Sequence, residues 1–123
     1  MMTKNDTTTV WDEHIQAWDA DDLDAIMVHY TEDSVMIVNN TVYKGTEAIR
    51  KVFDHLFKLF NNGTNKIDPA VIAGEIIYIT WHFQPEAEQG KEYYGTDTFV
   101  VQNGLIKYQT IASLLYEKYP VAS

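Results

Sequence analysis

The chain has 123 residues, is 46% hydrophobic and 22% charged, and carries a formal net charge of −9. This length and composition predict one globular domain, residues 1–123. The negative charge repels phosphate backbones and argues against nucleic-acid binding. Cysteine is absent, which excludes disulfides, thiolate nucleophiles and cysteine-ligated zinc.

The N-terminal segment and the hydropathy pattern indicate where in the cell the protein is expected. MMTKNDTTTV is polar and lacks the apolar core of a secretory signal. No apolar run approaches the length of a membrane span. We therefore expect a cytoplasmic protein that does not interact with membranes, with residues 1–8 frayed.

Two helices joined by an acidic elbow are predicted next. Helical spacing relates the first set of large side chains, Trp11, His14, Ile15 and Trp18. A second stripe follows at i, i+3, i+4 and i+7, formed by Leu23, Ile26, Met27 and Tyr30. Asp21 or Asp22 is the predicted N-cap of the second helix, and Asp24 adds negative charge to its first turn.

A short hairpin and a third helix are predicted after this elbow. SVMIVNNTVYKG is rich in β-formers around an Asn-Asn-Thr turn. Thr46 is the predicted N-cap of the third helix, and Gly63 its terminator. The apolar stripe of this helix consists of Ile49, Val52, Phe53, Leu56 and Phe60.

The second half of the chain predicts an antiparallel meander. Strands are expected at residues 71–73, 75–83, 93–102 and 105–116, with a tight Asn103-Gly104 turn before the last. The order α-α-β-β-α-β-β-β predicts an α+β fold, in which the helices pack on one face of a curved antiparallel sheet.

Three segments carry a resemblance to a known superfamily: AWDADDLDAIMVHYTEDSV, YKGTEAIRKVF and GTDTFVVQNGLIKYQ. The pattern resembles the nuclear transport factor 2-like superfamily, and within it the SnoaL-like and ketosteroid isomerase-like proteins. The resemblance implies a cone-shaped α+β barrel with an apolar pocket open at one end. It also implies a homodimer through the convex sheet face, for which Tyr94, Tyr108 and Tyr116 are suitable contact residues.

Asp97 is one candidate catalytic residue. Strand alternation places it on the same face as Phe99 and Val101, which we expect to point inward. A buried carboxyl must be hydrogen-bonded or be neutral with a raised pKa. The resemblance matches Asp97 to the protonated aspartic acid in the oxyanion hole of ketosteroid isomerases. The alternative is a structural carboxylate bound to a nearby Tyr or Arg.

His14 is the second candidate catalytic residue. Helical spacing places it beside Trp11 and Trp18, next to the buried face. Aligned on the Asp-Leu-Asp elbow, it matches the tyrosine that donates to the oxyanion in the isomerases. It is predicted to donate a hydrogen bond, to act as acid or base, or to pair with Asp97. The alternative is a core-edge histidine bonded to a backbone carbonyl.

Two positions depart from the isomerase pattern. The general-base aspartate of the isomerases falls at Val38 in this chain, and Phe53 replaces a tyrosine of their hydrogen-bond network. Steroid isomerisation by that mechanism is therefore rejected. Asp33 is expected to cap backbone or to pair with Arg50.

The family register also predicts a ligand-binding wall. Trp81 and Phe83 are placed inward, and a register slip of one residue would bring in His82 instead. The predicted wall consists of Trp18, Tyr30, Phe53, Trp81, Phe83, Phe99, Gln109 and Ile111. We predict neither a metal nor a cofactor, because the histidines show no metal-binding spacing and no phosphate loop is present.

Two functions remain open from the sequence. The first is a cofactor-free isomerase, cyclase, dehydratase or hydratase that acts on a small hydrophobic, oxygenated molecule through His14 and Asp97. The second is a non-catalytic module that binds a ligand or forms a dimer, which the missing general base favours.

Overall fold

The computed structural model describes residues 4–121 and the side chains of residues 6–121. Its helices are α1 (Lys4–Asp19), α2 (Leu23–Met27), α3 (Thr46–Phe60) and α4 (Leu115–Lys118). Its strands are β1 (Val35–Val38), β2 (Thr41–Lys44), β3 (Gly63–Ile67), β4 (Val71–Ala73), β5 (Ile76–Pro85), β6 (Tyr93–Gln102) and β7 (Leu105–Ser113). Within this part of the chain, no helix is long and apolar enough to span a membrane.

The strands form one curved sheet in the order β2-β1-β7-β6-β5-β3, and β4 pairs with the first part of β5, on the edge that β3 occupies further along. Each pairing is antiparallel except that of β1 with β7, which is parallel. This parallel pair arises because α3 and the later strands return the chain to the edge of β1. The predicted α+β fold is confirmed, with this one departure from a purely antiparallel sheet.

The hydrophobic core lies between the helices and one face of the sheet. Along β5 and β6 the side chains alternate between buried and more exposed positions, as a half-buried sheet requires. The helical stripe contributes Ile49, Val52, Phe53 and Leu56 from α3. Aromatic rings join the layers, for example Phe60 and Trp81, whose ring centroids are 5.3 Å apart.

The helix starts differ in part from the prediction. Asp22 does cap α2, since its side chain accepts a hydrogen bond from Ala25 N. The predicted cap at Thr46 is wrong, because the N-cap of α3 is Gly45 and has no side chain that could accept a bond. Glu32 supplies the missing acceptor from the preceding loop: its Oε1 lies 2.7 Å from Thr46 N and 2.8 Å from Thr46 Oγ1.

Helix α1 begins at Lys4, inside the segment predicted to be frayed, and residues 1–3 lie outside the described residues. Thr7 and Val10 are buried, so this first part of the helix is held by packing. Helix α2 ends at Met27, earlier than predicted, and Tyr30 follows in a turn.

Two elements after α3 were assigned incorrectly from the sequence. Helix α3 ends at its C-cap Asn61, whereas the predicted terminator Gly63 begins strand β3. A Cβ atom at Gly63 would lie 2.4 Å from Gln84 O, so the close strand pairing requires glycine there. The last predicted strand stops at Ser113, whose Oγ accepts a bond from Leu115 N at the start of α4.

Candidate functional site

A narrow cavity lies between the helices and the inner face of the sheet, and its volume is about 40 Å³. Its helical wall consists of Trp11, His14, Ile15, Trp18, Phe53, Leu56, Phe60 and Tyr116. Its sheet wall consists of Asn65, Ile67, Ile79, Trp81, Asp97, Phe99, Gln109 and Ile111. This space holds a few water molecules or a small head group without any rearrangement.

A wider hollow of about 370 Å³ adjoins the cavity, and we call it the vestibule. The two spaces share Trp11, Ile15, Trp18, Asn65 and Ile67. The remaining wall of the vestibule consists of Asp19, Asp68, Pro69 and Ala70. A molecule larger than the cavity therefore has room for its outer part between α1 and the β3–β4 connection.

Asp97 forms the polar floor of the cavity and is held by two neutral donors. Trp81 Nε1 donates to its Oδ1 over 2.9 Å, and Gln109 Nε2 donates to its Oδ2 over 3.1 Å. Gln109 is oriented in turn by Tyr30, whose hydroxyl donates to Gln109 Oε1. The predicted structural partner, a Tyr or an Arg, is replaced here by an indole and an amide. Both contacts stabilise the ionised form, because each carboxylate oxygen accepts.

The pKa of Asp97 is raised to about 6, mainly because burial penalises its charged form. The hydrogen bonds from Trp81 and Gln109 act in the opposite direction and lower it. A carboxyl with this pKa exchanges a proton readily near neutral pH, which is the property of an acid–base catalyst.

His14 lies in the same cavity and is neutral at pH 7. Burial is the main cause that lowers its pKa to about 3, and the charge of His29 lowers it further. The His14 ring packs against Phe99 with a centroid distance of 5.0 Å, and its Nδ1 is buried without a hydrogen-bond partner. Neither the predicted pairing with Asp97 nor the alternative bond from Nδ1 to a backbone carbonyl is present. The His14 Nδ1 is therefore a buried polar atom that lacks a hydrogen-bond partner.

Two polar residues of the cavity were missed from the sequence. Tyr116 lies in α4 and not in a strand; the pKa of its hydroxyl is raised well above the ordinary value by burial and by the charge of Asp97. Asn65 lies in β3, and its Oδ1 is buried without a partner. The only sequence signal for Asn65 was strand alternation, which places it on the same face as Gly63 and Ile67. Tyr116 was missed because the run LLY at residues 114–116 is typical of a strand.

Most residues of the predicted ligand-binding wall lie in the wall of the cavity. The cavity is lined by Trp18, Phe53, Trp81, Phe99, Gln109 and Ile111, as the register predicts. Tyr30 and Phe83 do not line it. Tyr30 lies behind Gln109, and Phe83 packs in the core against Phe60, with ring centroids 4.6 Å apart.

The strand register places His82 on the outer face, where its Nε2 lies 3.3 Å from Asp68 Oδ2 and its Nδ1 lies 3.2 Å from Glu92 Oε2. Trp81 is therefore the inward residue of this pair. The predicted pairing of Asp33 with Arg50 is wrong, because Arg50 pairs with Asp24 and Asp33 is exposed.

The remaining predictions concern the base position and the outer face. Val38 is buried in β1, so the place of the isomerase base carries an apolar side chain. Tyr94 and Tyr108 are 54% and 46% exposed on the outer face, but Tyr116 is buried and cannot belong to an interface there. Among the described residues no group of three or more His, Asp or Glu side chains could hold a metal ion.

A family model described as SnoaL-like domain matches residues 11–109, and the chain belongs to this family. The resemblance to the nuclear transport factor 2-like superfamily is thus confirmed. No curated protein matches the sequence at a significant level.

Solved structures of the same fold are similar over most of the chain. An NTF2-like protein of unknown function from Mesorhizobium loti has a TM-score of 0.78 at 15% identity, covering 89% of this chain and 92% of that one. A candidate polyketide cyclase from Sinorhizobium meliloti has a TM-score of 0.70 at 16% identity, covering 84% of this chain and 93% of that one. A candidate ketosteroid isomerase from Kribbella flavida has a TM-score of 0.72 at 10% identity, covering 92% of this chain and 82% of that one. At these identities the likeness establishes the fold alone.

Proposed function

We propose that this protein binds a small, largely apolar molecule and catalyses a cofactor-free proton transfer within it, of the kind used in isomerisation, cyclisation or dehydration. The observation that carries the proposal is the state of Asp97. It is a carboxyl with a pKa of about 6, fixed by two donors at the base of an aromatic cavity. A base with this pKa is largely ionised at pH 7 and still close enough to neutrality to release the proton again.

The hydrogen bonds support a role for Asp97 as base rather than as oxyanion donor. Trp81 Nε1 has a hydrogen and no lone pair, so Asp97 Oδ1 must accept. Gln109 presents its amino group to Oδ2, since its carbonyl oxygen receives the Tyr30 hydroxyl. This arrangement favours the ionised carboxylate, in contrast to the protonated state that the resemblance to ketosteroid isomerases implies, and it supports Asp97 as the base in place of Val38.

His14 and Tyr116 are the proposed partners of the base. Neutral His14 has one N–H donor and one acceptor nitrogen, and no protein group occupies its Nδ1. Tyr116 keeps its proton, because burial and Asp97 raise the pKa of its hydroxyl. Both can donate to a substrate oxygen on which charge develops when Asp97 removes a proton.

The experiment is hydrogen–deuterium exchange of small ketones in deuterated buffer, followed by proton NMR with acetone, 2-butanone and cyclopentanone. We expect the wild-type protein to accelerate α-proton exchange and Asp97→Asn to abolish the acceleration. Asp12→Asn is the matched control, because Asp12 is an exposed carboxylate of α1 that lines neither the cavity nor the vestibule. Full exchange activity in Asp97→Asn, or no acceleration with any of these ketones, would contradict the proposal.

We also propose a homodimer that forms through the outer face of the sheet. Tyr78, Tyr94 and Tyr108 expose aromatic rings on neighbouring strands β5, β6 and β7, and exposed tyrosines are enriched at protein interfaces. Sedimentation velocity of the wild type and of the Tyr94→Lys, Tyr108→Lys double variant tests this. A dimer that dissociates in the double variant supports it, and a wild-type monomer at high concentration contradicts it.

A further inference from the structure

The charged side chains of the cavity and the vestibule all carry the same sign. Asp97 lies in the cavity, Asp19 and Asp68 lie in the vestibule, and no Lys or Arg among the described side chains lines either space. The only arginine of the sequence, Arg50, pairs with Asp24 away from this site. Asp68 already has partners, because it accepts from Thr80 Oγ1 and pairs with His82. The entry path is therefore unfavourable to anions.

The buried carboxylate of Asp97 has no counterion among the residues that the structure describes. Its two donors, Trp81 and Gln109, are neutral, so they satisfy hydrogen bonds without compensating the charge. A buried charge without an opposite charge is costly, and a cation that enters the cavity would remove this cost. Each carboxylate oxygen still has a free lone pair after accepting one bond.

The rest of the wall is suited to a cation. Trp11, Trp18 and Trp81 present indole rings, which are the best partners in cation–π interactions. His14 is 6% exposed and neutral, so it does not repel a cation. An aromatic wall and a carboxylate together match a protonated amine.

We propose that the site selects ligands that carry a primary or secondary ammonium group, bound between the Asp97 carboxylate and the tryptophan rings. This inference rests on the proposed function, because it names the class of molecule that the cavity takes. The volume of about 40 Å³ accommodates the ammonium head, and the vestibule of about 370 Å³ accommodates its alkyl part. The second free lone pair of Asp97 is left for proton transfer.

The test uses three probes of equal length that differ in charge: n-butylammonium, 1-butanol and butyrate. Binding is measured by titration NMR at pH 7.5 and constant ionic strength. We expect butylammonium to bind at least about ten-fold more tightly than 1-butanol, and butyrate to bind more weakly than both. In Asp97→Asn the affinity for butylammonium falls to that for 1-butanol, whereas Asp12→Asn, an exposed change on α1, leaves it unaltered.

The Asp97→Asn variant can keep the local network. The carbonyl oxygen of the substituted side chain would still accept from Trp81. A reversed Gln109 amide would accept from the new amino group and donate to the Tyr30 oxygen. Unchanged binding of 1-butanol to the variant shows that the cavity persists.

A pH series gives a second readout that needs no substitution. The titratable groups facing Asp97 are His14, Tyr30 and Tyr116, and none of them changes charge between pH 5 and 7.5. The affinity for butylammonium should fall about ten-fold over this range as Asp97 takes up a proton, whereas that for 1-butanol stays constant.

The outcomes separate this inference from the proposed function. If 1-butanol or butyrate binds as tightly as butylammonium, or if none of the probes binds, the selectivity for amines is overturned. Ketone exchange catalysed through Asp97 would then still stand. If butylammonium binds selectively through Asp97 but no ketone exchanges, the amine site is supported and the catalytic proposal fails.

Discussion

Gln109 Nε2 donates a hydrogen bond to Asp97 Oδ2 over 3.1 Å, and the same amide accepts the hydroxyl of Tyr30 through its carbonyl oxygen. The two hydrogen bonds therefore run in the same direction, from the tyrosine hydroxyl through the amide to the carboxylate. Because each donor points toward Asp97, this network favours the ionised carboxylate.

Replacing Gln109 should therefore affect both the charge state and the fold. In Gln109→Leu the Asp97 carboxylate loses a donor, so its pKa should rise above 6. The Tyr30 hydroxyl also loses its partner, and the unfolding free energy should fall by about 1–3 kcal/mol. Carbon-13 NMR titration and urea unfolding measure the two effects. The exposed Gln102→Leu is the control, and an unchanged Asp97 pKa in Gln109→Leu would show that the bond is not formed.

Gly95 determines where Trp81 can lie. A Cβ atom at Gly95 would lie 2.0 Å from Trp81 Cζ2, so Gly95→Ala must displace the indole from its bond to Asp97. We expect a loss of about 1–3 kcal/mol of stability and a shifted indole N–H resonance. Thr96→Ala, which lies on the opposite face of the same strand, is the control. A native indole resonance in Gly95→Ala would contradict this packing.

His14 should make the protein sensitive to acid. The pKa of His14 is about 3 in the folded protein and 6.5 in the unfolded chain, so its contribution to stability is present above pH 6.5 and is lost as pH falls towards 3. Asp97 acts in the opposite sense between pH 3.8 and about 6, but the wild type and the His14→Phe variant both contain it, so its effect cancels when they are compared. Between pH 7.5 and 4.5 the unfolding free energy of the wild type should fall by roughly 2–3 kcal/mol more than that of His14→Phe. Denaturant titrations at a series of pH values measure these free energies. The same pH dependence in the wild type and in His14→Phe would show that His14 is not buried in its neutral form.

Glu32 should stabilise the start of α3 from outside the helix. The bonds from Thr46 N and Oγ1 hold the Glu32 carboxylate, and the backbone bond is the main cause that lowers its pKa. Glu32→Ala should lower the urea midpoint of unfolding, because it leaves the first turn of α3 without an acceptor, as the loss of an N-cap does. The adjacent exposed Asp33→Ala should lower the midpoint less. An equal decrease of the urea midpoint in the two variants would show that Glu32 does not stabilise the start of α3.

Periodicity was sufficient to predict most of the site from the sequence. Strand alternation and the family register placed Trp81, Asp97 and Gln109 on the inner face, because a half-buried strand permits only one of two orientations. Such a pattern predicts which face of an element a side chain occupies, but not whether that side chain reaches the cavity. Tyr30 and Phe83 were therefore predicted to line the wall, whereas they pack behind it.

The missed elements have physical reasons as well. Strand β3, GTNKI, is polar and is held by its pairing with β5, so it shows no apolar alternation. Helix α4 spans only Leu115–Lys118, too short to show a helical stripe, and its start depends on Ser113 Oγ. The cap of α3 comes from Glu32, which is distant in sequence from the helix, and a local motif cannot reveal it.

The most direct test of the proposed base is the titration of the Asp97 side chain by carbon-13 NMR, with its signal assigned by its absence in Asp97→Asn. The account predicts a single transition with a midpoint near pH 6, since burial raises the pKa more than Trp81 and Gln109 lower it. A midpoint close to the ordinary 3.8 would contradict it, as would a carboxyl that stays protonated through neutral pH.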